Sequence, residues 1–294
     1  MADLPPSIDP IAAARWQRVA PARPPWLHEE IGRRMAERLE WIRLQPQTWA
    51  DWDPVRGGIE AHRTVAARYP RAQCWVVERE GHRAEVARRE LSAPWWRLRA
   101  AAVRFGAVPP GGVQMLWANM ALHDAGDPQS LISQWHRALA VDGFLMFSCF
   151  GPDTLRELRA LHARRGWPPP SHQFTDMHDW GDMLVHAGFA EPVMDMERLT
   201  LTWETPERMR AELRELGMNL HRDRFPGLRG RGWQREFDAA AAESLRGPDG
   251  RLALTFEIVY GHALKPPPRI RMAGESTVSI DDMQSLLRAG RKPR

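Results

Sequence analysis

The stretch Val141–Arg159, VDGFLMFSCFGPDTLRELR, constrains the fold of this chain more than any other. Phe144–Phe150 is an apolar run of strand length, preceded by the turn pair Asp142-Gly143 and broken by Gly151-Pro152-Asp153-Thr154. Asp153 is then expected to cap a helix beginning at Thr154 by accepting from free backbone N–H groups. A strand that is apolar throughout belongs in a parallel sheet covered by helices on both faces. Ligands of such sheets sit beyond the carboxyl ends of the strands. The loop Gly151–Thr154 is therefore expected to border a site.

The rest of the chain supplies more elements of the same kind. Helices are expected over Ile11–Val19 and Leu27–Leu44; in the second, Ile31, Met35, Leu39 and Ile42 form an apolar stripe, and Pro46 closes it. Thr48–Asp53 reads as a strand, Pro54–Gly58 as a turn, Ile59–Arg68 as a helix and Gln73–Glu78 as a second strand. Val113–Asn119 is another buried strand, and a helix from Asp127-Pro128 to about Leu139 carries Leu131, Ile132, Trp135 and Leu139 on one face. Asp176 opens a helix to Ala187, with Gly188 where a left-handed cap belongs. Val193–Trp203 and Arg251–Leu264 are the last two strands. They flank a helical, arginine-rich segment, Thr205–Leu245, taken as an insertion over the sheet.

This order predicts an α/β fold: a mostly parallel, seven-stranded, Rossmann-like sheet with an antiparallel hairpin at one edge. The expected divisions are N-terminal helices to residue 45, an α/β core over 46–204, the insertion over 205–245, the final strand over 246–266 and a loosely ordered tail over 267–294, with a short helix near Ile280–Leu287.

Composition narrows the class. A hydrophobic share of 43% and a charged share of 27% are those of an ordinary globular protein. No apolar stretch approaches the roughly 18–20 residues of a membrane span. Met1–Pro10 lacks the basic patch and apolar run of a secretory signal. Cys74 and Cys149 lie inside strand candidates as buried reduced thiols, which places the chain in the cytoplasm. The net charge of +4 is almost wholly arginine, clustered over Arg83–Arg104 and Arg222–Arg235. No nucleic-acid motif accompanies it, so it reads as solvated helix faces or as attraction to an acidic partner. No histidine–cysteine spacing matches a metal site.

Three blocks carry a resemblance: FSCFGPDTLRELR, FTDMHDWGDMLVHAGFAEPVMDMERLTLTW and TFEIVYGHALKP. They are similar to the malonyl-carrier-protein O-methyltransferases of biotin synthesis, over about Leu27 to Pro266. The resemblance implies a class I methyltransferase fold, S-adenosylmethionine as donor, and a carboxylate borne on acyl carrier protein as acceptor. A related branch, a mitochondrial complex I assembly factor that hydroxylates a protein arginine, shares the Phe-Gly-x-Asp-Thr-Leu pattern. A protein-modifying or assembly factor on this scaffold, or a silent scaffold without the donor, are the alternatives.

The same resemblance assigns the cofactor-binding positions. The segment Ala50-Asp51-Trp52-Asp53-Pro54-Val55-Arg56-Gly57-Gly58 stands where the family has a hydrophobic-Asp-hydrophobic-Gly-x-Gly-x-Gly loop. Asp51 takes the acidic position that supports the amino group of the methionine moiety, and Gly57 alone stays in register, Asp53 and Val55 replacing the other glycines. Glu78, ending its strand, is placed to accept from both ribose hydroxyls. Asn119 is placed near the donor methyl group. The acidic residue before the adenine is replaced by Pro94-Trp95-Trp96-Arg97-Leu98-Arg99, whose tryptophans stack on an adenine or pack under a loop. His123 is either a proton acceptor or a structural residue. No residue is assigned as catalytic, because an ionised carboxylate is already a nucleophile and needs only to be oriented. The insertion arginines Arg222, Arg224, Arg229 and Arg231 are candidates to hold that carboxylate or to meet the carrier protein.

Overall fold

The computed structural model describes residues 7–92 and 103–268. The tryptophans at 95 and 96 and the tail helix near 280–287 lie outside the described residues. Seven strands form one sheet: β1 (Thr48–Trp52), β2 (Gln73–Val77), β3 (Val103–Phe105), β4 (Val113–Ala118), β5 (Leu139–Phe150), β6 (Ala190–Trp203) and β7 (Leu252–Leu264). Their order is β3-β2-β1-β4-β5-β7-β6, parallel except for β7, which runs antiparallel to both neighbours. This is the expected Rossmann-like sheet with its antiparallel edge.

Helices cover both faces, as the apolar strands require. On one side lie α2 (Trp26–Arg38), α4 (Ile59–Arg68), α5 (Gly81–Leu91) and α7 (Arg156–Arg164); the short α1 (Pro10–Val19) precedes them and the single turn α3 (Pro54–Gly57) leads into α4. On the other lie α6 (Pro128–Ala138) and α8 (Met177–His186). The insertion contributes α9 (Pro206–Leu216) and α10 (Arg231–Ser244) to the first face. Strand residues alternate between the two cores. Phe144, Met146 and Phe150 of β5 join the first, and Leu145, Phe147 and Cys149 the second. The continuous apolar run therefore reflects burial on both faces rather than loss of alternation.

Several expectations shift in detail. The second helix ends at Arg38 and gives way to a 3₁₀ turn over Leu39–Trp41, rather than continuing to Leu44. Pro54–Gly57 is one helical turn, not a plain turn. Asp142-Gly143 does not end a helix–strand junction. It lies inside β5, with Asp142 at φ +62°, where the pairing with β4 slips register between Val113 and Met115. From Val113 to Met115 β4 advances two residues while β5 advances five, from Leu139 to Phe144, so three residues of β5 bulge out of the pairing. The helix after β5 starts at Arg156, with Leu155 in the left-handed region. Asp153 pairs with Arg198 instead of capping it. Asp176 does cap α8, accepting from His178 N, and Gly188 follows at φ +98°.

At Gly261 on β7 the sheet leaves no room for a side chain. It stands opposite Phe147 of β5, and a Cβ there would lie 2.0 Å from Phe147 Cε1. Because Phe147 is fully buried, its ring has nowhere to go. Gly261→Ala is expected to cost about 3 kcal/mol, the upper end for overpacking, as read by denaturant unfolding.

Candidate active site

Two spaces open along the carboxyl edge of the parallel strands. The larger is a cavity of about 850 Å³ between α1, the end of β5, α7 and the insertion. It falls beside the loop expected to border a site, since Phe150, Thr154 and Leu155 line it. Five arginines face it, Arg15, Arg210, Arg214, Arg224 and Arg229, against one carboxylate, Asp124.

The arginines divide by partner. Arg210 makes a two-pronged pair with Asp238, at 2.7 and 2.9 Å, and Arg224 Nη1 donates to Asp9 at 2.7 Å. Arg15, Arg214 and Arg229 have no carboxylate partner among the described residues. Arg229 differs from the other two. Its guanidinium lies 4.3 Å from the ring centre of Phe225 and 4.0 Å from that of Trp233. Aromatic faces against a guanidinium plane leave its N–H edge available. Of the four insertion arginines named from sequence, Arg222 donates to Ile8 O and Arg224 to Asp9, while Arg231 does not line the cavity.

His123 and His172 also line this cavity, and burial holds both neutral. His123 is pushed down to about 3, by desolvation first and by nearby Arg56 second. His172 falls to about 4 through desolvation, although its Nε2 donates to His123 O at 2.9 Å. The His123 ring packs 4.5 Å from Phe150 and edge-on to His28.

The smaller space, about 20 Å³, lies where β1, β2 and β4 end. Of the four sequence-named positions, Gly57 and Asn119 line this space, while Glu78 is buried against Arg83 and Asp51 turns away from it, and each is satisfied internally. Asn119 donates Nδ2 to His28 O at 2.7 Å and to Gly57 O, and its Oδ1 accepts from Ser148 at 2.6 Å. Gly57 abuts it so closely that a Cβ would sit 2.8 Å from Asn119 O. Glu78 accepts from Val55 N at 2.8 Å and from Arg83 Nε at 3.2 Å. Burial and neighbouring Asp53 push the Glu78 carboxyl upward. Asp51 turns toward α4 and accepts from His62 Nδ1 at 2.8 Å; burial raises it too.

Within the altered loop, Asp53 takes φ +55°, the conformation a glycine would favour, and is held there by Arg79. Val55 is wholly buried in the first core, so its side chain packs inward rather than blocking the loop's outer surface. Trp52 likewise packs inward, edge-on to Trp135.

The residues that close this rim, Arg79 and Arg83, were not legible from sequence as site residues. One signal existed: Arg83, Ala87 and Leu91 follow a four-residue spacing on the buried side of α5, and an arginine heading a buried stripe needs an internal acid.

Comparison with known proteins then decides the family. No protein-family model matches the chain. A malonyl-acyl-carrier-protein O-methyltransferase from Gallionella capsiferriformans is 39% identical over 265 residues, covering 86% of this chain and 88% of that protein. One of the same name from Laribacter hongkongensis is 39% identical over 275 residues, covering 88% of each.

The chain belongs to the malonyl-acyl-carrier-protein O-methyltransferase family.

Solved structures agree on the fold. YcgJ of Bacillus subtilis superposes with a TM-score of 0.54 at 11% identity, over 80% of this chain and 98% of its own. A putative methyltransferase from Bacillus halodurans superposes with 0.54 at 14% identity, over 79% and 99%. The resemblance assigns the donor to the positions Asp51, Gly57, Glu78 and Asn119, and as folded here the hollow beside them does not fit an adenosyl group. A space of about 20 Å³ holds about one water, whereas small-molecule sites span about 300–1,000 Å³. The carboxylates are in place, but Arg79 and Arg83 occupy them.

Proposed function

We propose that this chain transfers a methyl group from S-adenosylmethionine to the free carboxylate of a malonyl thioester on acyl carrier protein, as the resemblance to the biotin-synthesis enzymes implies. Family membership supports the reaction class. The observation that carries the acceptor assignment is the 850 Å³ cavity: its wall holds five arginines against a single acid, and only some of those arginines are neutralised internally. A site of that sign attracts an anion and disfavours its neutral ester. The reduced, buried Cys74 and Cys149 are consistent with the cytoplasm, where the carrier protein is found.

The roles follow from position. Arg229, clamped between Phe225 and Trp233, holds the acceptor carboxylate through its free edge. Arg15 and Arg214, exposed at the mouth, meet the acidic surface of the carrier. Phe150, Leu158, Phe237 and Phe256 supply an apolar wall that excludes water from the acceptor oxygen. No side chain has to remove a proton, because the carboxylate oxygen is already nucleophilic; the chain's contribution is orientation.

Arg229→Met is expected to raise KM for malonyl carrier protein about 10–100-fold, the worth of a charge-assisted hydrogen bond, with a smaller effect on kcat. It should also abolish the preference for the carboxylate over its methyl ester in competition binding. Transfer is scored by the one-methylene mass gain of the carrier-bound acid. An Arg229→Met protein that still discriminates acid from ester defeats the assignment, and absence of any mass gain with the unaltered enzyme defeats the function.

A further inference from the structure

A malonyl group has the bulk of roughly four waters at about 30 Å³ each, so it fills only a small part of the 850 Å³ cavity. The remaining space suits something that enters with it, and the lining gives its chemistry. Four residues of the wall carry a buried side-chain nitrogen or oxygen with no protein partner among the described residues. They are Nδ1 of His123, Oγ of Ser171, Nδ1 of His172 and Nε1 of Trp233. Buried polar atoms left unpaired are costly and uncommon. Three of the four belong to one cluster.

That cluster joins two stretches of chain. His123 follows β4, Ser171 and His172 lie in the connection from α7 to α8, and His172 Nε2 donates to His123 O at 2.9 Å. All three side chains belong to residues more than nine-tenths buried. The connection is firmly held. His162 Nδ1 donates to Pro168 O and Asn219 Nδ2 to Pro169 O, both at 2.7 Å, and Gln173 N donates to Ser7 Oγ at 2.9 Å. Between these bonds Pro168, Pro169 and Pro170 fix the backbone. Donation through Nε2 also fixes the His172 tautomer, so its Nδ1 carries a lone pair and can only accept. The wall thus presents one fixed acceptor beside one hydroxyl. A neutral group with one N–H and one carbonyl satisfies both, and that group is a secondary amide.

We propose that Ser171 and His172 form a subsite for a secondary amide of the thiol arm that bears the malonyl group, His172 Nδ1 accepting its N–H and Ser171 Oγ donating to its carbonyl. Resting on the acceptor reading above, the assignment divides the substrate: Arg229 holds the acid end, and these two residues hold the arm behind the thioester. Two probes isolate the amide. Malonyl-N-acetylcysteamine has one secondary amide behind its thioester; the malonyl thioester of 2-acetoxyethanethiol has an ester oxygen in place of that N–H and keeps the carbonyl. Calorimetry on the full chain is expected to show the amide probe binding about 10–100-fold tighter, because the ester sets an oxygen lone pair against His172 Nδ1. Equal affinities overturn the subsite, water then serving these atoms, and leave the acceptor reading standing. Heat from malonyl carrier protein with none from either probe at millimolar concentration also overturns the subsite alone. No heat from any of the three overturns both.

Variants separate recognition from structure. His172→Gln places an amide nitrogen near the Nε2 position, which keeps a donor for His123 O, but offers no acceptor near Nδ1. His172→Asn does the reverse. The preference for the amide probe is expected to vanish in His172→Gln and to persist in His172→Asn, although the second loses the bond to His123 O and is the less stable protein. Ser171→Ala is expected to weaken both probes alike, by about tenfold, since both keep the carbonyl. A purely structural His172 gives the opposite pattern, with the preference intact in His172→Gln, and that result overturns the assignment.

Discussion

Replacing His123 and His172 together with glutamine is expected to remove about 4 kcal/mol of the pH dependence of folding between pH 7 and pH 5. Both rings are buried, and burial lowers them to about 3 and about 4 against an unfolded value of 6.5. The sign follows. As pH falls through 6.5 the unfolded chain takes up protons that the folded chain refuses, so each histidine's destabilisation is absent above that pH and grows toward its folded pKa. That amounts to ~2 kcal/mol per ring by pH 5. His28, bonded through Nδ1 to Arg56 O and lowered by the same burial, adds to the trend in both proteins. Asp51, Glu78 and Asp124 are raised by burial and act in the opposite direction, but equally in both. The difference between unaltered and double-variant proteins, from urea unfolding at the two pH values, therefore isolates the two rings. Parallel losses would show that they are already protonated or already solvated.

The second large effect is expected at His62. Its ring is the side-chain partner of Asp51, and both are almost completely buried, the His62 ring lying tilted against Trp49 with ring centres 5.0 Å apart. His62→Leu leaves a buried carboxylate unpaired, which costs about 3–5 kcal/mol at pH 7. Burial already raises Asp51, and losing its donor raises it further. The folded protein then takes a proton that the unfolded carboxyl releases near 3.8, so the deficit is largest at neutral pH and shrinks as pH falls toward that value. Denaturant midpoints at pH 7 and 5 check both parts. His62→Gln, which keeps a donor, should recover most of the stability. A His62→Leu protein as stable as the parent would mean that Asp51 is neutral and needs no partner.

The strands were legible because their signal is local: Gln73–Val77 and Val113–Ala118 announce themselves as short apolar runs bounded by polar residues. Asp176 and Gly188 were legible as helix punctuation for the same reason. Helix α5 escaped notice because its buried face is Arg83, Ala87 and Leu91, a stripe with too little apolar area to show a period. Strand β3 has three residues, too few to alternate. The three-residue register slip around Asp142 cannot be told from a turn without the partner strand, since Asp142-Gly143 serves either.

The site was legible only as a set of positions. Asp51, Glu78 and Asn119 sit at or just after the ends of neighbouring parallel strands, because strand order and carboxyl ends follow from the βα alternation, but of the four positions only Gly57 and Asn119 line the small space. What each does there depended on groups far away in sequence: His62 on Asp51, Arg83 on Glu78, Arg79 on Asp53, Ser148 on Asn119. The same held for the insertion, where composition nominated four arginines and packing paired Arg224 with Asp9 and set Arg229 between Phe225 and Trp233.

The chain's own pattern of apolar runs, caps and breakers thus determined the sheet, its helices and the edge where chemistry belongs, because hydrophobic burial and backbone preference are read residue by residue along the strand or helix. Which charges are neutralised, and which stay free to meet a ligand, was decided by the tertiary structure alone. A buried charge takes its energy from whatever lies within a few ångströms, and that neighbour is set by how distant segments fold together.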